Sequence, residues 1–409
     1  MSGYKINKEN ISKCSIYILF LLMLCSMEPW FFWHYKAYAM LLLSFLFLIL
    51  RIVNLTESKI GFSKFIAVFI GFILFVYLGF HDLSNLIYSF NYIRLFIIAL
   101  FVIMMTNDEM LKLTTVTTNI YAWIVGISIG FHILVVFCNA ELPYFTIQYP
   151  STLSEYPDFK NYIFLILIDT PSVFYRLSSI FTEPGHLGMI SAILLYINKY
   201  DLKKKSVLII FIGLILSFSL AAYVLLILGY IIYEFSKGKR LVKKISKLLL
   251  GLTVLIPISV YIYKEYDESA VARLIIARME YDDKRGIVGN NRNSEHFDYY
   301  YEKKFLNDAN YWITGVGINY FQTKLAGKTS SYKVFFVMHG LIGLILLLLF
   351  YLSIFYTSRS WFICGLLLLY CASFWQRPYA LWEMQLFLFI SAASVFQNKR
   401  LPSAISKTH

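Results

Sequence analysis

Charge is scarce in this chain: of 409 residues only 15% are Asp, Glu, Lys or Arg, while hydrophobic residues make up 59%. With a mean hydropathy of +0.64, a soluble domain of this length would have too little polar side chain to cover itself. Acids are the rarer sign, 24 against 37 bases, for a net charge of +13. Nucleic acid is not the expected partner, because the densest basic clusters lie between apolar runs, as positive-inside loops do. Cysteine is sparse too. Cys14, Cys25, Cys138, Cys364 and Cys371 lie in or beside apolar runs without C-x-x-C spacing, which suggests neither a disulfide framework nor a zinc site. No metal-ligand cluster is legible elsewhere, and no cofactor is expected. The apolar run Ser15 to Met27 follows Lys5, Lys8 and Lys13 but lacks a small-x-small cleavage site, so it reads as a first anchored helix rather than a signal peptide.

What remains is aromatic and aliphatic residues in long runs. The pattern predicts an all-α, polytopic transmembrane bundle forming a single integral membrane domain over 1–409, with about twelve spans. They fall near 14–33, 37–53, 64–80, 86–105, 119–138, 184–199, 206–218, 220–235, 248–263, 334–356, 361–375 and 383–397. The stretch 206–235 is too short for two ordinary spans of roughly 20 residues. It is read as a tight pair of short helices meeting near Ser217-Phe218-Ser219. Basic residues set the orientation: Lys5, Lys8 and Lys13, then Arg51, Lys59 and Lys64, then Lys112, then Lys199 and Lys203 to Lys205. Lys237 to Lys247 and finally Lys399 and Arg400 follow on the same side, placing both termini in the cytoplasm. Two outer connections, 139–181 and 264–333, are much longer than the rest and are expected to contain short helices. Loops of that length are uncommon unless functional or disordered, and their aromatic content argues against disorder. No internal repeat of the transporter kind is legible.

The first chemical candidate is Arg176-Leu177-Ser178-Ser179-Ile180-Phe181-Thr182-Glu183-Pro184-Gly185-His186-Leu187-Gly188. Pro184 is placed to open span six, with Glu183 or Thr182 near its cap. Glu183 and His186, three apart, share one helix face. Arg176, a candidate base and an anion-attracting helix end would then meet at one membrane depth. The same residues also read as an ordinary helix start with Arg176 among lipid headgroups, and spacing leaves both readings open.

The second candidate is the large loop. An amphipathic stretch from Ser269 to Glu280 presents Arg273 and Arg278, Arg292 follows within Gly289 to His296, and Tyr299-Tyr300-Tyr301 come next. Arginine forks bind phosphates bidentately, and aromatic faces are common contacts for sugar rings. Each arginine alone reads better as a snorkelling interfacial residue; that at least one is functional is the better reading of the set. Arg94, three residues after Asn91 inside span four, is costly there and either faces a cavity or meets a buried acid. His132 and His339 read as hydrogen-bonded structural histidines.

The order of these features resembles the O-antigen polymerase and ligase family of bacterial envelope glycan assembly, particularly the Wzy-type polymerases. The pieces that carry the resemblance are Arg176 through Gly188, Ser217-Phe218-Ser219 and Arg292. They continue with Ile313-Thr314-Gly315-Val316-Gly317-Ile318-Asn319-Tyr320-Phe321 and with Ser330-Ser331-Tyr332 leading into Gly340-Leu341-Ile342-Gly343. Ligases carry a histidine shortly before the last glycine pair, where this chain has Thr329. The resemblance implies a metal-independent glycosyltransferase of the bacterial inner membrane, working on O-antigen or capsule repeat units linked to undecaprenyl pyrophosphate. A chain-length regulator and a flippase are its implied partners. Arg176 and Arg292 would clamp the pyrophosphate, helped by Arg273, Arg278 and Arg94. Glu183 would be the base, with His186 the runner-up. The alternatives are the ligase, transferring polymer to the lipid A core, and a lipid-linked oligosaccharide flippase or other secondary transporter.

Overall fold

The computed structural model describes residues 8–54, 61–150, 158–169, 175–237, 281–282, 286–287, 294–325 and 331–397. Among the described residues six helices are long and apolar enough to cross a bilayer: Lys8–Ser26, Trp30–Val53, Phe62–Phe80, Leu86–Ile103, Asn107–Phe137 and Tyr332–Ser358. Five shorter apolar helices accompany them. Large apolar side chains point outward along these elements, among them Phe45, Phe62, Leu86, Ile87 and Trp361. Such faces are tolerable only where the solvent is itself apolar. The chain is a membrane-embedded, multi-pass helical protein.

Helix α1 (Lys8–Ser26) stops short of the expected 14–33. Glu28 has φ 57°, and Pro29 has no N–H to continue the ladder. The residues that follow, Trp30–Tyr35, form a 3-10 helix before α2 (Lys36–Val53). Helices α3 (Phe62–Phe80) and α4 (Leu86–Ile103) match their spans closely. Helix α5 (Asn107–His132) begins well before the expected 119. Thr106 and Glu109 form a capping box: the Glu109 N–H donates to Thr106 Oγ1 at 3.3 Å, and the Thr106 N–H donates to Glu109 Oε2 at 2.9 Å. Two orphan donors are satisfied by one short motif. Glu109 also takes Arg51 Nη1 at 2.6 Å and Ser12 Oγ at 2.7 Å.

The first long connection departs from expectation. It holds no short helix among its described residues but a three-stranded antiparallel sheet of β1 (Phe145–Ile147), β2 (Phe159–Asn161) and β3 (Ile166–Ile168). Branched and aromatic side chains at these positions favour the pleated conformation, and Phe159 and Ile166 bury against Trp33. The short helices expected in the second connection are present at Glu295–Tyr300, Ala309–Thr314 and Ile318–Tyr320. The predicted span 248–263 lies outside the described residues.

The expected tight pair of helices is found as α7 (Lys205–Leu216) and α8 (Leu220–Ser236), turning at Phe218 with φ 44°. At 12 residues, α7 is about 18 Å long, against a hydrocarbon core of about 30 Å.

The chain divides into two compact units, one of Met1–Ser26, Ala37–Thr117 and Asn293–His409, the other of Met27–Lys36 and Thr118–Arg292. In the first unit α3 packs on α4 and on the helix Tyr332–Ser358. Arg94 lies in this unit's interior. Its Nη2 is 2.5 Å from Glu383 Oε1 and its Nη1 donates to Ser44 Oγ at 2.9 Å. Of the two alternatives for Arg94, the structure shows the buried ion pair. Removing one partner strands the other charge, so Glu383→Leu is expected to cost about 3–5 kcal/mol of stability. Arg94→Met/Glu383→Leu is expected to recover most of that cost. Unfolding midpoints of the three proteins in detergent check this.

In the second unit α6 (Pro184–Ile197) is buried from Gly185 through Ile197 and packs against α7 and α8. Tyr121 of α5 donates to the Leu187 carbonyl at 2.8 Å.

Candidate functional site

Two polar constellations stand out, one in each unit. In the second unit, Pro184 occupies the first turn of α6, and Glu183 sits at its N-cap with φ −127°. This is the helix start that the sequence pattern predicts. The preceding segment is tied to the α7–α8 junction. The Leu177 N–H donates to the Leu216 carbonyl at 3.0 Å, and Arg176 Nε to the Ser217 carbonyl at 3.1 Å. Ser217 is fully buried. Its hydroxyl donates to the Leu214 carbonyl at 2.7 Å.

Gly188, one turn into α6, faces the same junction. A Cβ there would lie 2.5 Å from Ala222 Cβ and 3.1 Å from Ser217 Oγ, so only glycine lets the helices approach this closely. Residues 176–188 and 217–222 are therefore one packed assembly. Arg176 is half-buried with its guanidinium fixed at a helix junction, Glu183 is half-buried, and His186 is buried. Arg292, Arg273 and Arg278 lie outside the described residues.

The sequence pattern reads His132 and His339 as structural and offers Tyr299-Tyr300-Tyr301 as sugar-ring contacts. His132 behaves as expected: it is buried, with Nε2 3.0 Å from the Tyr175 carbonyl. Of Tyr299, Tyr300 and Tyr301, the last two are sequestered in an apolar cluster with Phe297, Phe305 and Phe321, and Tyr299 is exposed. Consecutive helical residues point in different directions, so the three do not form one stacking surface.

The second constellation is built where the helix Tyr332–Ser358 breaks. Gly340 has φ 62° and ψ −169°, a region essentially restricted to glycine. Carbonyls freed by the break are taken up by the Gly315-Val316-Gly317 segment and by α3. The Val316 N–H donates to Val337 at 2.9 Å and the Gly317 N–H to Met338 at 3.1 Å. The Tyr77 hydroxyl lies 3.0 Å from the His339 carbonyl and 2.8 Å from that of Thr314. Irregular backbone at membrane depth persists only when satisfied in this way or facing a cavity.

A polar pocket of about 400 Å³ opens beside it, lined by His81, Asp82, Ser84, Gly317, Asn319 and Tyr320 among others. Asp82 accepts from the Asn319 N–H at 2.8 Å, from the Ser84 N–H at 3.1 Å and from the Ser84 hydroxyl. His339, fully buried, has Nε2 3.2 Å from the Tyr92 hydroxyl. Its Nδ1 has no hydrogen-bond partner among the described residues.

Ile313 to Phe321 and Gly340 entered the sequence reading only as pieces of the family resemblance, and that reading missed His81 and Asp82. The available signal was the short polar connection after span three. Asp82 is the only carboxylate between Glu57 and Asp108.

Burial works against ionisation of Asp82, yet the Ser84 hydroxyl and the Asn319 and Ser84 N–H groups outweigh it and hold the carboxyl below its ordinary range. Burial drives the His81 imidazole down, against the pull of Asp82 and a hydrogen bond to the Thr314 carbonyl. Both shifts are downward, so the unfolded chain binds these protons more readily and acidification destabilises the corner. For His81 the loss begins below about pH 6.5, and for Asp82 only below about pH 3.9. Intrinsic-rate-corrected hydrogen exchange at the Asn319 and Ser84 amides is expected to quicken between about pH 7.5 and about pH 5. In His81→Gln that pH dependence should flatten.

No family model, no curated protein and no solved structure matches this chain, which leaves its own residues to carry a functional reading.

Proposed function

We propose that this chain is a membrane glycosyltransferase that polymerises oligosaccharide repeat units carried on a lipid pyrophosphate. The observation that carries the reading is the packing of Arg176 through Gly188 onto Ser217 through Ala222. A permanent cation, a carboxylate and an imidazole are thereby held on one segment at the start of a buried helix. A hydroxyl of the acceptor sugar would attack the anomeric carbon of the donor glycan, forming a new C–O bond. The bond to pyrophosphate would break, its electron pair leaving with the phosphate oxygen. Glu183, or His186 in its place, would take the hydroxyl proton. Arg176 and the N-terminal end of α6 would stabilise the departing charge, with Arg292 as the second arm of the clamp. Arg94 is engaged by Glu383 and Ser44 and has no part in it.

In this reading the termini are cytoplasmic, the membrane is a bacterial inner membrane, and the connections 139–181 and 264–333 face outward. Donor and acceptor are both undecaprenyl-pyrophosphate-linked. A second reading, a lipid-linked oligosaccharide flippase, draws on the helix broken at Gly340, since discontinuous helices build transporter sites. The envelope glycan of a deletion strain, run on a gel, separates them. Loss of the polymerase leaves core carrying a single repeat unit. A flippase deletion leaves repeat units inside the cell, and a ligase deletion leaves bare core with lipid-linked polymer. An unchanged ladder removes all three readings.

A further inference from the structure

The second unit carries a lateral groove that belongs to neither constellation. It runs between α5 and α7 with a volume of about 730 Å³. The two helices close on each other at Gly213, where a Cβ would strike Val125 Cγ1. They stand further apart toward Lys205, and the groove occupies the gap. Its walls are graded. Gly126, Ile127 and Ile209 line one end, and Asn119, Lys205 and Ser206 the other. Trp123, 71% exposed, stands beside it. Tryptophan settles at the boundary between acyl chains and headgroups, so its position marks the polar end as headgroup depth.

The charge at that end is of one sign. Lys203, Lys204 and Lys205 are consecutive and exposed, and among the described residues they form no ion pair. Asp201 is the one acid in the turn. An apolar slot ending in a lysine cluster at headgroup depth complements a molecule with an acyl chain and an anionic head. We propose that this groove is a binding site for an anionic phospholipid, its acyl chain along Gly126 and Ile209 and its phosphate against Lys205, Ser206 and Asn119. Juxtamembrane lysines attract anionic headgroups in this way. The site is independent of the glycosyltransferase reading and stands or falls without it.

The test uses the full chain reconstituted in vesicles of equal parts palmitoyl-oleoyl phosphatidylglycerol and phosphatidylcholine. Native mass spectrometry after mild extraction reads the lipid retained. Phosphatidylglycerol should be retained in preference, and retention should fall about five-fold for each of Lys203, Lys204 and Lys205 changed to alanine. Gly126→Leu fills the slot without altering charge and should abolish retention of either lipid. Should the triple variant fail to fold, Lys205→Gln alone decides. Lys303→Ala/Lys304→Ala, a like charge loss in the other unit, should leave retention unchanged. Equal retention of the two lipids, or phosphatidylglycerol held undiminished by the lysine variants or by Gly126→Leu, overturns the proposal. So does a lipid-free dimer that Gly126→Leu disperses.

Discussion

Arg176→Ala is expected to abolish polymer while the protein remains in the membrane. In the proposed reaction the guanidinium meets charge that develops only as pyrophosphate departs. Losing one such preorganised donor costs about 100- to 1,000-fold in rate. In energy that is about 2.7–4 kcal/mol, all of it on the barrier, and the structural penalty is somewhat smaller and falls on the fold instead. The Ser217 carbonyl loses one charge-assisted hydrogen bond from Nε, worth about 1.5–3 kcal/mol, and α6 keeps its packing on α7 and α8. Activity and stability should therefore separate: a glycan ladder reduced to single units, with only a modest drop in unfolding midpoint. Arg176→Lys keeps the charge but loses the planar fork that reaches the carbonyl and a phosphate together, and an intermediate ladder is expected. A normal ladder from Arg176→Ala would remove the clamp.

The second large effect is structural. Gly340→Ala is expected to cost more than about 3 kcal/mol, because two penalties add. The backbone there lies in a region costing about 1–3 kcal/mol for a residue with a side chain. The new Cβ would also strike the Ile313 carbonyl oxygen, and it would lie 2.5 Å from the Gly315 nitrogen and from the Thr314 carbonyl carbon. These are backbone atoms, which cannot swing aside as a side chain can. Gly315, with φ 87°, faces the Met338 carbonyl in the same crossing, so neither strand can yield to the other. Gly130→Ala is the matched control. Nothing lies within 4 Å of a Cβ at that helical position, and alanine there should be neutral or stabilise by up to about 1 kcal/mol. Unfolding midpoints in detergent should thus move in opposite directions or by very unequal amounts. Equal midpoints would show that the helix does not need its break.

The legibility of the fold varies along the chain for identifiable reasons. Helices α3 and α4 end close to where the apolar runs end, because in a membrane protein hydrophobic length and helix length are nearly the same quantity. The early start of α5 was hidden, since Thr106 and Glu109 are polar residues that extend a helix beyond its apolar run. The truncation of α1 at Ser26 had a visible cause in Pro29, but the apolar run from Trp30 onward masked it. Three-residue strands such as Phe145–Ile147 leave too short a period to read.

Taken alone, the sequence determined the medium and the element type: scarce charge and long apolar runs require helices in lipid, whatever their arrangement. It also marked Pro184 as a helix start, whereas Gly315, Gly317 and Gly340 drew notice only through a family resemblance. Only the tertiary structure decided which distant pieces meet. It set Arg176 against Ser217, Arg94 against Glu383 and Asp82 against the Asn319 N–H. Partner choice of that kind depends on which buried polar group lacks a donor or counter-charge once the helices have packed, and that is a property of the packed chain rather than of any local stretch of it.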